Sequence, residues 1–341
     1  MRVVIVGGGM VGMTMSRLLR MRGVEPVIIE RMPAGHYIPR GYMLGFQGYE
    51  PLEEVGVYDE VRQAGRPIAP RPDQPPVAVA VRFGALIEAL QRDLPMVNEH
   101  TVTELLRDGD RVVGVVAEGP DGASTEFEAD LVVACDGMRS PVRDMAGLEA
   151  SFDTLPEAEL GFMSPSVADT SFAMSYMSDG GHIGMLSWNE GSAGWRSVER
   201  VGPDAALAPG LDAIKEMWAR LLPAAASAVE GLTSLDQVRY SEPQLLACPR
   251  WWVPGVVLIG DSAHFFGTES GVSSGFGLGD AHALAEAIVQ NPGDPDAACL
   301  SYETWRAPAV RPYEANDPGR ARMVLAGQLE ARPDERWPIP A

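Results

Sequence analysis

Uninterrupted apolar runs, separated by a stretch of helical periodicity, occupy the first part of the chain. Val3–Val6 is apolar at every position, as expected of a parallel strand that is buried on both faces. Residues 10–22 can form a helix, and the apolar residues 26–29 predict a second strand. The same uninterrupted pattern returns at residues 129–135 and 256–259. These runs predict an α/β domain with a parallel sheet, whose strands come from distant parts of the sequence.

A different pattern occupies residues 160–201, where apolar and polar side chains alternate with period two. The short turns Asp179-Gly180-Gly181 and Asn189-Glu190-Gly191 separate the alternating runs, so consecutive strands are expected to form hairpins. This region predicts an antiparallel sheet, and therefore a second domain inserted into the first. A helix is predicted over residues 277–290, after the last apolar run.

The predicted boundaries divide the chain into three parts. The first domain is discontinuous, the second is inserted into it, and a C-terminal helical segment and tail follow. In that order, the parts comprise residues 1–65, 77–155 and 241–295; the proline-rich residues 66–76 with residues 156–240; and residues 296–341.

Composition and charge narrow the classes of partner. The chain of 341 residues carries a formal net charge of −20, which argues against binding to nucleic acid or to anionic membrane surfaces. No apolar run approaches the roughly 18 to 20 residues of a membrane span, and the apolar start predicts a retained strand rather than a signal peptide. The three cysteines are far apart and the five histidines lack metal-ligand spacing, so neither disulfides nor a metal site is predicted. We expect a cytoplasmic protein with reduced thiols.

The glycine turn Gly7-Gly8-Gly9-Met10-Val11-Gly12 lies between the first strand and the first helix. In such a turn the first glycine permits a tight bend, the second lets the backbone approach a pyrophosphate, and the third allows close packing of helix and strand. Glu30 ends the second strand, where a carboxylate can bind the two hydroxyl groups of an adenosine ribose but would repel a 2′-phosphate. The turn therefore predicts a dinucleotide, either FAD or NAD, and disfavours NADP at this site.

Two further segments distinguish between these dinucleotides. Ala129-Asp-Leu-Val-Val-Ala-Cys-Asp136-Gly137, continuing to Arg143, resembles the DG segment of the class A flavoprotein monooxygenases, which have the para-hydroxybenzoate hydroxylase fold. Val257-Leu-Ile-Gly260-Asp261-Ser-Ala-His264, with Asp280-Ala281 after a glycine-rich stretch, resembles their GD segment. The glycine turn and these segments follow the order of that family. The resemblance implies FAD as the cofactor, and a Rossmann-like FAD-binding domain interrupted by an antiparallel-sheet substrate domain.

The resemblance also assigns residues to the cofactor and to the substrate. It implies that Asp261 bonds the ribityl chain and that the backbone of the loop after it faces the flavin ring. The implied cofactor residues are Gly7, Gly9, Met10, Val11, Gly12, Glu30, Arg31, Arg40, Arg82, Asp136, Asp261, Gly271, Val272, Ser273 and Ser274. The implied substrate-pocket residues are Tyr42, Tyr176, Trp188, Phe266 and Thr268. No catalytic side chain is assigned, because the flavin carries the chemistry.

The reaction implied by the resemblance is a monooxygenation. In this family NAD(P)H reduces the flavin, and O2 then forms a flavin C4a-hydroperoxide that transfers one oxygen atom to a small molecule. The resemblance implies an apolar aromatic or polycyclic substrate, with hydroxylation favoured over epoxidation or Baeyer–Villiger insertion. NAD(P)H would act directly or through a separate reductase. The oligomeric state stays open, a homodimer included.

Several positions depart from the family pattern. Thr268 stands where the family has proline, Gly271-Val272-Ser273 replaces Gly-Gln-Gly, and Phe83 replaces an arginine. The stretch of residues 65–86 is also short, so we expect a pocket that is more open or is completed by a partner. These departures keep two alternatives open: an FAD-dependent reductase or dehydrogenase of the same fold, and a non-catalytic FAD-binding partner protein. A flavin-dependent halogenase and an NAD-dependent dehydrogenase are disfavoured.

Overall fold

The structure is a computed structural model, and it describes residues 1–45, 49–69, 75–177, 181–267, 271 and 273–313. Its strands in chain order are β1 (Val3–Val6), β2 (Val27–Ile29), β3 (Gly41–Gly45), β4 (Arg66–Ile68), β5 (Ala78–Arg82), β6 (Thr101–Asp108), β7 (Arg111–Glu118), β8 (Ser124–Glu128), β9 (Leu131–Ala134), β10 (Ser151–Thr154), β11 (Ala158–Ser164), β12 (Phe172–Tyr176), β13 (His182–Trp188), β14 (Gly191–Val198), β15 (Val238–Ser241), β16 (Gln244–Ala247), β17 (Trp252–Val253), β18 (Val256–Leu258) and β19 (His264–Phe265). Its α-helices are α1 (Met10–Met21), α2 (Glu50–Glu54), α3 (Tyr58–Gln63), α4 (Phe83–Gln91), α5 (Pro141–Met145), α6 (Pro203–Leu207), α7 (Gly210–Leu221), α8 (Ala226–Glu230), α9 (Ser273–Gln290) and α10 (Pro295–Val310).

A five-stranded sheet in the order β17-β18-β9-β1-β2 forms the centre of the first domain. Strands β18, β9, β1 and β2 run parallel, whereas β17 pairs antiparallel with β18. Every residue of β1 and β9 is buried. Because both faces of the sheet are covered, these strands carry no alternating polar positions. The predicted parallel sheet, assembled from distant segments, is confirmed.

The long helix α9 connects this sheet to the rest of the first domain. Both α1 and α10 pack along it. Its approach to α1 is close, since a Cβ on Gly277 would lie 2.8 Å from Cγ2 of Val11. The helix ends at Gln290, as predicted, but begins at Ser273, four residues before the predicted start. This earlier start brings the amino end of α9 into the candidate site described below.

The second domain is built on the antiparallel sheet β12-β13-β14-β11-β15. One face of this sheet packs on α7 and α8, where Ile183 and Met185 join Trp218 in a buried apolar cluster. Because side chains alternate along a strand, Leu186 and Trp188 of β13 lie on the opposite face. The predicted antiparallel sheet is confirmed.

A three-stranded sheet, β3-β5-β4, covers that opposite face. Ala80 of β5 packs near Leu186 in a small buried cluster, and Arg66 of β4 donates a hydrogen bond of 2.6 Å to the carbonyl oxygen of Ala168. Strands β4 and β5 lie on either side of the predicted boundary at residue 76, yet they pair with each other. The short stretch between residues 65 and 86 therefore supplies two strands of this cover.

The C-terminal helix α10 lies within the core of the first domain. Tyr302 is fully buried and donates a hydrogen bond of 3.2 Å to the carbonyl oxygen of Leu258 in β18. The predicted boundary at residue 296 therefore runs through the start of a helix that packs against the parallel sheet. Residues 314–341 lie outside the described residues. Within the described residues, no helix is long and apolar enough to cross a membrane.

Candidate cofactor site

The glycine turn between β1 and α1 is shaped by backbone contacts. Gly7 has a φ of +109°, and a Cβ on it would collide with the carbonyl group of Cys135. A Cβ on Gly12 would collide with the carbonyl oxygen of Gly7. By contrast, no atom of the described residues lies within 4 Å of where a Cβ on Gly9 would be. The turn is therefore tight on its protein side and open at Gly9, where a ligand can approach the backbone.

The amino end of α1 supplies backbone donors at this turn. The first intrahelical bond runs from the Met13 N–H to the Gly9 carbonyl oxygen at 3.0 Å. The N–H groups of Met10 and Val11 precede that bond, and Gly9 has no side chain to cap the helix. Free N–H groups and the positive end of the helix dipole favour a phosphate group. The structure thus places Met10 and Val11 at the amino end of α1, with their backbone N–H groups ahead of the first intrahelical bond.

Glu30 directly follows β2 and is held beside the glycine turn. Its Oε2 atom accepts a hydrogen bond from the Gly8 N–H at 2.6 Å, and its Oε1 atom accepts one from the Met32 N–H at 2.8 Å. Each carboxylate oxygen can accept more than one hydrogen bond, so both bonds leave acceptor capacity for ribose hydroxyl groups. The neighbouring Arg31 is exposed.

The second part of the site is the 3-10 turn Gly260–Ser262, which follows β18 and which we call the Asp261 turn. The Gly260 N–H donates a hydrogen bond of 3.0 Å to Oδ2 of Asp280, and the Ser262 hydroxyl donates one of 2.7 Å to the carbonyl oxygen of Ala134. Between these anchored residues, no donor among the described residues hydrogen-bonds the Asp261 carboxylate. The turn therefore holds Asp261 in place and leaves its oxygen atoms available to a ligand.

Strand β3 and the residue before it add two more predicted residues to this group. The Tyr42 hydroxyl donates a hydrogen bond of 3.1 Å to Oγ of Ser274, at the amino end of α9. The Arg40 guanidinium lies 4.0 Å from the centre of the Phe83 ring. Burial raises the pKa of Asp261, and the positive charge of Arg40 opposes that rise. Residues predicted from three distant segments are thus brought together.

Three of these side chains lie between the core and the surface. Asp136, Asp261 and Tyr42 are all half-buried, and burial raises the pKa of each. The Asp136 carboxylate accepts a hydrogen bond of 3.2 Å from the Val142 N–H at its Oδ2 atom, and the nearby Ser140 hydroxyl opposes the rise of its pKa. The half-buried carboxylates and the open side of Gly9 both fit a polar cofactor.

Other predicted cofactor residues lie apart from this group or at its edge. Arg82 is engaged by Glu88, to which it donates hydrogen bonds of 2.9 and 3.0 Å. Gly271 is exposed, and the Ser273 hydroxyl accepts a hydrogen bond of 3.1 Å from the Phe266 N–H at the start of α9. Val272, like the predicted substrate residue Thr268, lies outside the described residues.

The structure places two of the predicted substrate residues, Trp188 and Phe266, in packed surroundings. Trp188 is 3% exposed and lies 3.0 Å from where a Cβ on Gly41 would be, so its ring packs on β3. Phe266 is buried and stacks on His264 with 5.2 Å between ring centres. Tyr176 is exposed at the end of the edge strand β12. Tyr42 and Phe266 therefore contact the amino end of α9 near the Asp261 turn, whereas Trp188 packs on β3.

The sequence-based assignment overlooked a buried ion pair behind the Asp261 turn. Asp280 of α9 is fully buried, and its carboxylate accepts hydrogen bonds from Nε2 of His264 at 2.7 Å and from Nε of Arg306 at 2.8 Å. Burial alone would raise the pKa of Asp280, but His264 and Arg306 hold it at about 2. An acidic residue flanked by apolar and small residues in the first half of α9 is the signal that could have revealed this pair, because a buried carboxylate requires a partner.

The chain has the α/β para-hydroxybenzoate hydroxylase fold. A family model described as "FAD binding domain" matches residues 1–70 and 85–316, and the chain belongs to this family. The resemblance to the class A flavoprotein monooxygenases is thereby confirmed.

Named relatives cover nearly the whole chain. The aurachin C monooxygenase/isomerase of Stigmatella aurantiaca is 26% identical over 98% of this chain and 90% of its own length. The 3-amino-4-hydroxybenzoate 2-monooxygenase of Streptomyces cremeus is 27% identical over 90% of this chain and 83% of its own. Among solved structures, PqsL of Pseudomonas aeruginosa superposes with a TM-score of 0.77 at 20% identity, covering 97% of this chain and 99% of that protein. The solved structure supports the fold.

Proposed function

We propose that this protein is an FAD-dependent monooxygenase that transfers one oxygen atom from O2 to an apolar aromatic or polycyclic small molecule. The observation that carries the proposal is the junction of the two turns. Val11 of the glycine turn lies 3.2 Å from where a Cβ on Gly260 would be, so the two turns are in contact. A cofactor with a pyrophosphate at one end and a ring system at the other suits two adjoining turns, one open at Gly9 and the other presenting the Asp261 carboxylate.

The chain's residues would bind and orient FAD, which when bound supplies the electron transfer and the oxygen activation. The N–H groups of Met10 and Val11 would bind the pyrophosphate, and the Glu30 carboxylate would accept bonds from the ribose. Asp261 would bind the ribityl chain. The positive amino end of α9, which begins at Ser273, would favour negative charge on the reduced ring.

The proposed substrate class rests on relatives and on one sheet face. One relative is named for its action on 3-amino-4-hydroxybenzoate, an aromatic acid. In this chain, Phe172 and Trp195 lie on the face of the substrate sheet that β3-β5-β4 covers, with 6.5 Å between their ring centres. Both rings are only partly buried. Partly accessible aromatic rings between two layers favour a flat, apolar substrate. We propose NAD(P)H as the electron donor, acting directly or through a separate reductase.

The decisive experiment is a product screen by mass. The purified protein is expected to retain FAD, to consume NAD(P)H and O2, and to yield a product heavier by one oxygen atom. A protein that binds no FAD would contradict the proposal at its first step. NAD(P)H oxidation without O2 uptake would favour the FAD-dependent reductase. If neither NADH nor NADPH reduces the flavin, adding a flavin reductase distinguishes an indirectly reduced monooxygenase from a non-catalytic FAD-binding partner.

A further inference from the structure

A fully buried charge network lies directly behind the Asp261 turn. Oδ2 of Asp280 accepts hydrogen bonds from the Gly260 N–H and from Nε2 of His264, while Oδ1 accepts one from Nε of Arg306. Arg306 is 7% exposed, and Asp280 and His264 are not exposed at all. The network thus joins α9, α10 and the turn through one carboxylate.

The bond to Gly260 ties this carboxylate to the conformation of the turn. Gly260 has a φ of +62°, a backbone conformation that needs support from its surroundings. That residue is also confined sterically, since a Cβ on it would lie 3.2 Å from Cγ2 of Val11 and 3.6 Å from Cα of Gly277. Asp280 therefore bonds the residue that immediately precedes Asp261 and that contacts the glycine turn.

Arg306 compensates the negative charge of the buried Asp280 carboxylate. Its Nη2 donates a second hydrogen bond of 3.1 Å to the Phe276 carbonyl oxygen, so its guanidinium bridges two points of α9. Gly279 leaves room for it, because a Cβ there would lie 3.0 Å from that Nη2 atom. Without Arg306, a second uncompensated carboxylate would lie close to Asp261, since Asp280 already acts to raise the pKa of Asp261.

His264 completes the network. Its Nε2 atom lies 2.7 Å from Oδ2 of Asp280, whereas its buried Nδ1 atom has no hydrogen-bond partner among the described residues. Arg306 places a guanidinium charge on the other oxygen atom of the same carboxylate.

We infer that Asp280 and Arg306 are positioning residues for the cofactor: they hold the Asp261 turn so that the Asp261 carboxylate meets the ribityl chain of FAD. The inference rests on the proposed function, because it requires FAD to bind at Asp261. It goes beyond that function by assigning a role in cofactor binding to Arg306 of α10, which acts on the Asp261 turn through Asp280.

A merely structural role would have a different signature. If the network only joins α9 to α10, its loss lowers stability and weakens FAD binding whether or not Asp261 is present. If it acts through Asp261, the loss of FAD affinity depends on the Asp261 carboxylate. A double-mutant cycle measures this dependence directly.

The experiment titrates apoprotein with FAD and follows the dissociation constant by flavin fluorescence. We expect Asp280→Asn to raise the dissociation constant about 30-fold in the native background, and by less than about threefold in the Asp261→Asn background. Arg306→Lys keeps the positive charge but loses the second hydrogen bond, to the Phe276 carbonyl oxygen. We expect this variant to raise the dissociation constant for FAD about five- to tenfold, and we expect no such rise in the Asp261→Asn background. This milder variant carries the test if Asp280→Asn does not fold. Asp296→Asn, which removes the exposed ion pair of α10 with Arg111, is the matched control and should leave the dissociation constant unchanged.

Equal losses of FAD affinity in both backgrounds would overturn the inference, as would variants that bind FAD like the native protein. Absence of FAD binding by the native protein would refute the inference together with the proposed function. Native FAD binding without oxygen transfer would count against the function alone, because the cycle reads only binding.

Discussion

The two ends of the proposed cofactor site are built in different ways. At the proposed phosphate end, Gly7 to Gly12 form a turn of contiguous backbone, and its shape depends on where a side chain is missing. At the proposed flavin end, the Gly260–Ser262 turn is held by side chains from distant elements, among them Arg143, which donates a hydrogen bond of 3.2 Å to the Ser262 carbonyl oxygen. The phosphate end is therefore sensitive to local substitutions, and the flavin end to substitutions far away in sequence.

The largest expected effect concerns the open side of the glycine turn. Gly9→Trp should abolish FAD retention, because the indole occupies the space where a ligand approaches. Its melting temperature should stay close to that of the native apoprotein, since no described atom lies within 4 Å of the new Cβ. Flavin content after gel filtration and thermal unfolding measure the two effects.

Gly12→Ala is the matched control for that experiment. Its Cβ would collide with the Gly7 carbonyl oxygen, so this variant should lose stability as well as FAD. Native flavin content in Gly9→Trp would contradict the assignment of the phosphate site.

The second largest effect is expected for Glu30, whose side chain lies beside the glycine turn. Glu30→Lys removes the acceptor of the Gly8 and Met32 N–H groups together with the ribose acceptor, so FAD should bind about 100-fold more weakly, a loss of roughly 3 kcal/mol. Glu30→Gln retains one oxygen acceptor and should lose only about tenfold. Titration of the apoproteins with FAD measures both constants, and equal affinities for the two variants would argue against the ribose contact.

The third effect is a pH dependence of the protein's stability, which we expect from Asp280 behind the Asp261 turn. The pKa of Asp280 is about 2 in the folded protein, below its value of about 3.9 in an unfolded chain. A depressed pKa contributes stability that is present above about pH 4 and is lost as the pH falls towards 2, of order 2 kcal/mol in total. Asp136 and Asp261 act in the opposite sense, because burial raises their pKa values.

Urea unfolding of the native protein and of Asp280→Asn at pH 5 and pH 2.5 checks this sign. The stability difference between the two proteins should shrink at the lower pH. A difference that is constant across this range would show that Asp280 is not the titrating group.

The smallest effect is expected at the hydrogen bond between Tyr42 of β3 and Ser274 of α9. Tyr42→Phe should cost about 1 kcal/mol of stability and change FAD affinity only a few-fold. Ser274→Ala should cost about the same, and the double variant little more than either one, because both remove a single bond. Additive losses in the double variant would mean that the two hydroxyl groups have separate partners.

The sequence predicts the parts of the candidate site that follow from local pattern. The strand, the tight turn and the helix around Gly7, Gly9 and Gly12 are present as expected, and Glu30 follows the next strand; their role in dinucleotide binding stays a proposal. The buried and alternating runs likewise predicted both sheets. These features depend on neighbours in the chain, so no knowledge of tertiary contacts was needed.

The remaining features depend on which surfaces meet. Period two placed Trp188 on one face of a strand, but it did not show that β3 covers that face and buries the ring. Asp280 and Arg306 are separated by 26 positions, and neither sits in a pattern that names its partner. The burial of Phe266 in an aromatic cluster with His264 was also not predicted, because packing between distant segments produces no periodic pattern in the sequence.

The position of Arg306 in α10 has a consequence for the order in which the protein is made. A ribosome completes the glycine turn long before it reaches Arg306, which supports the Asp261 turn through Asp280. A nascent or prematurely terminated chain that ends before Arg306 would carry the finished glycine turn but an Asp261 turn without this support. With the proposed roles of these two turns, cofactor capture would depend on completion of α10, so a cell that retains only flavin-loaded chains would also select those translated at least this far.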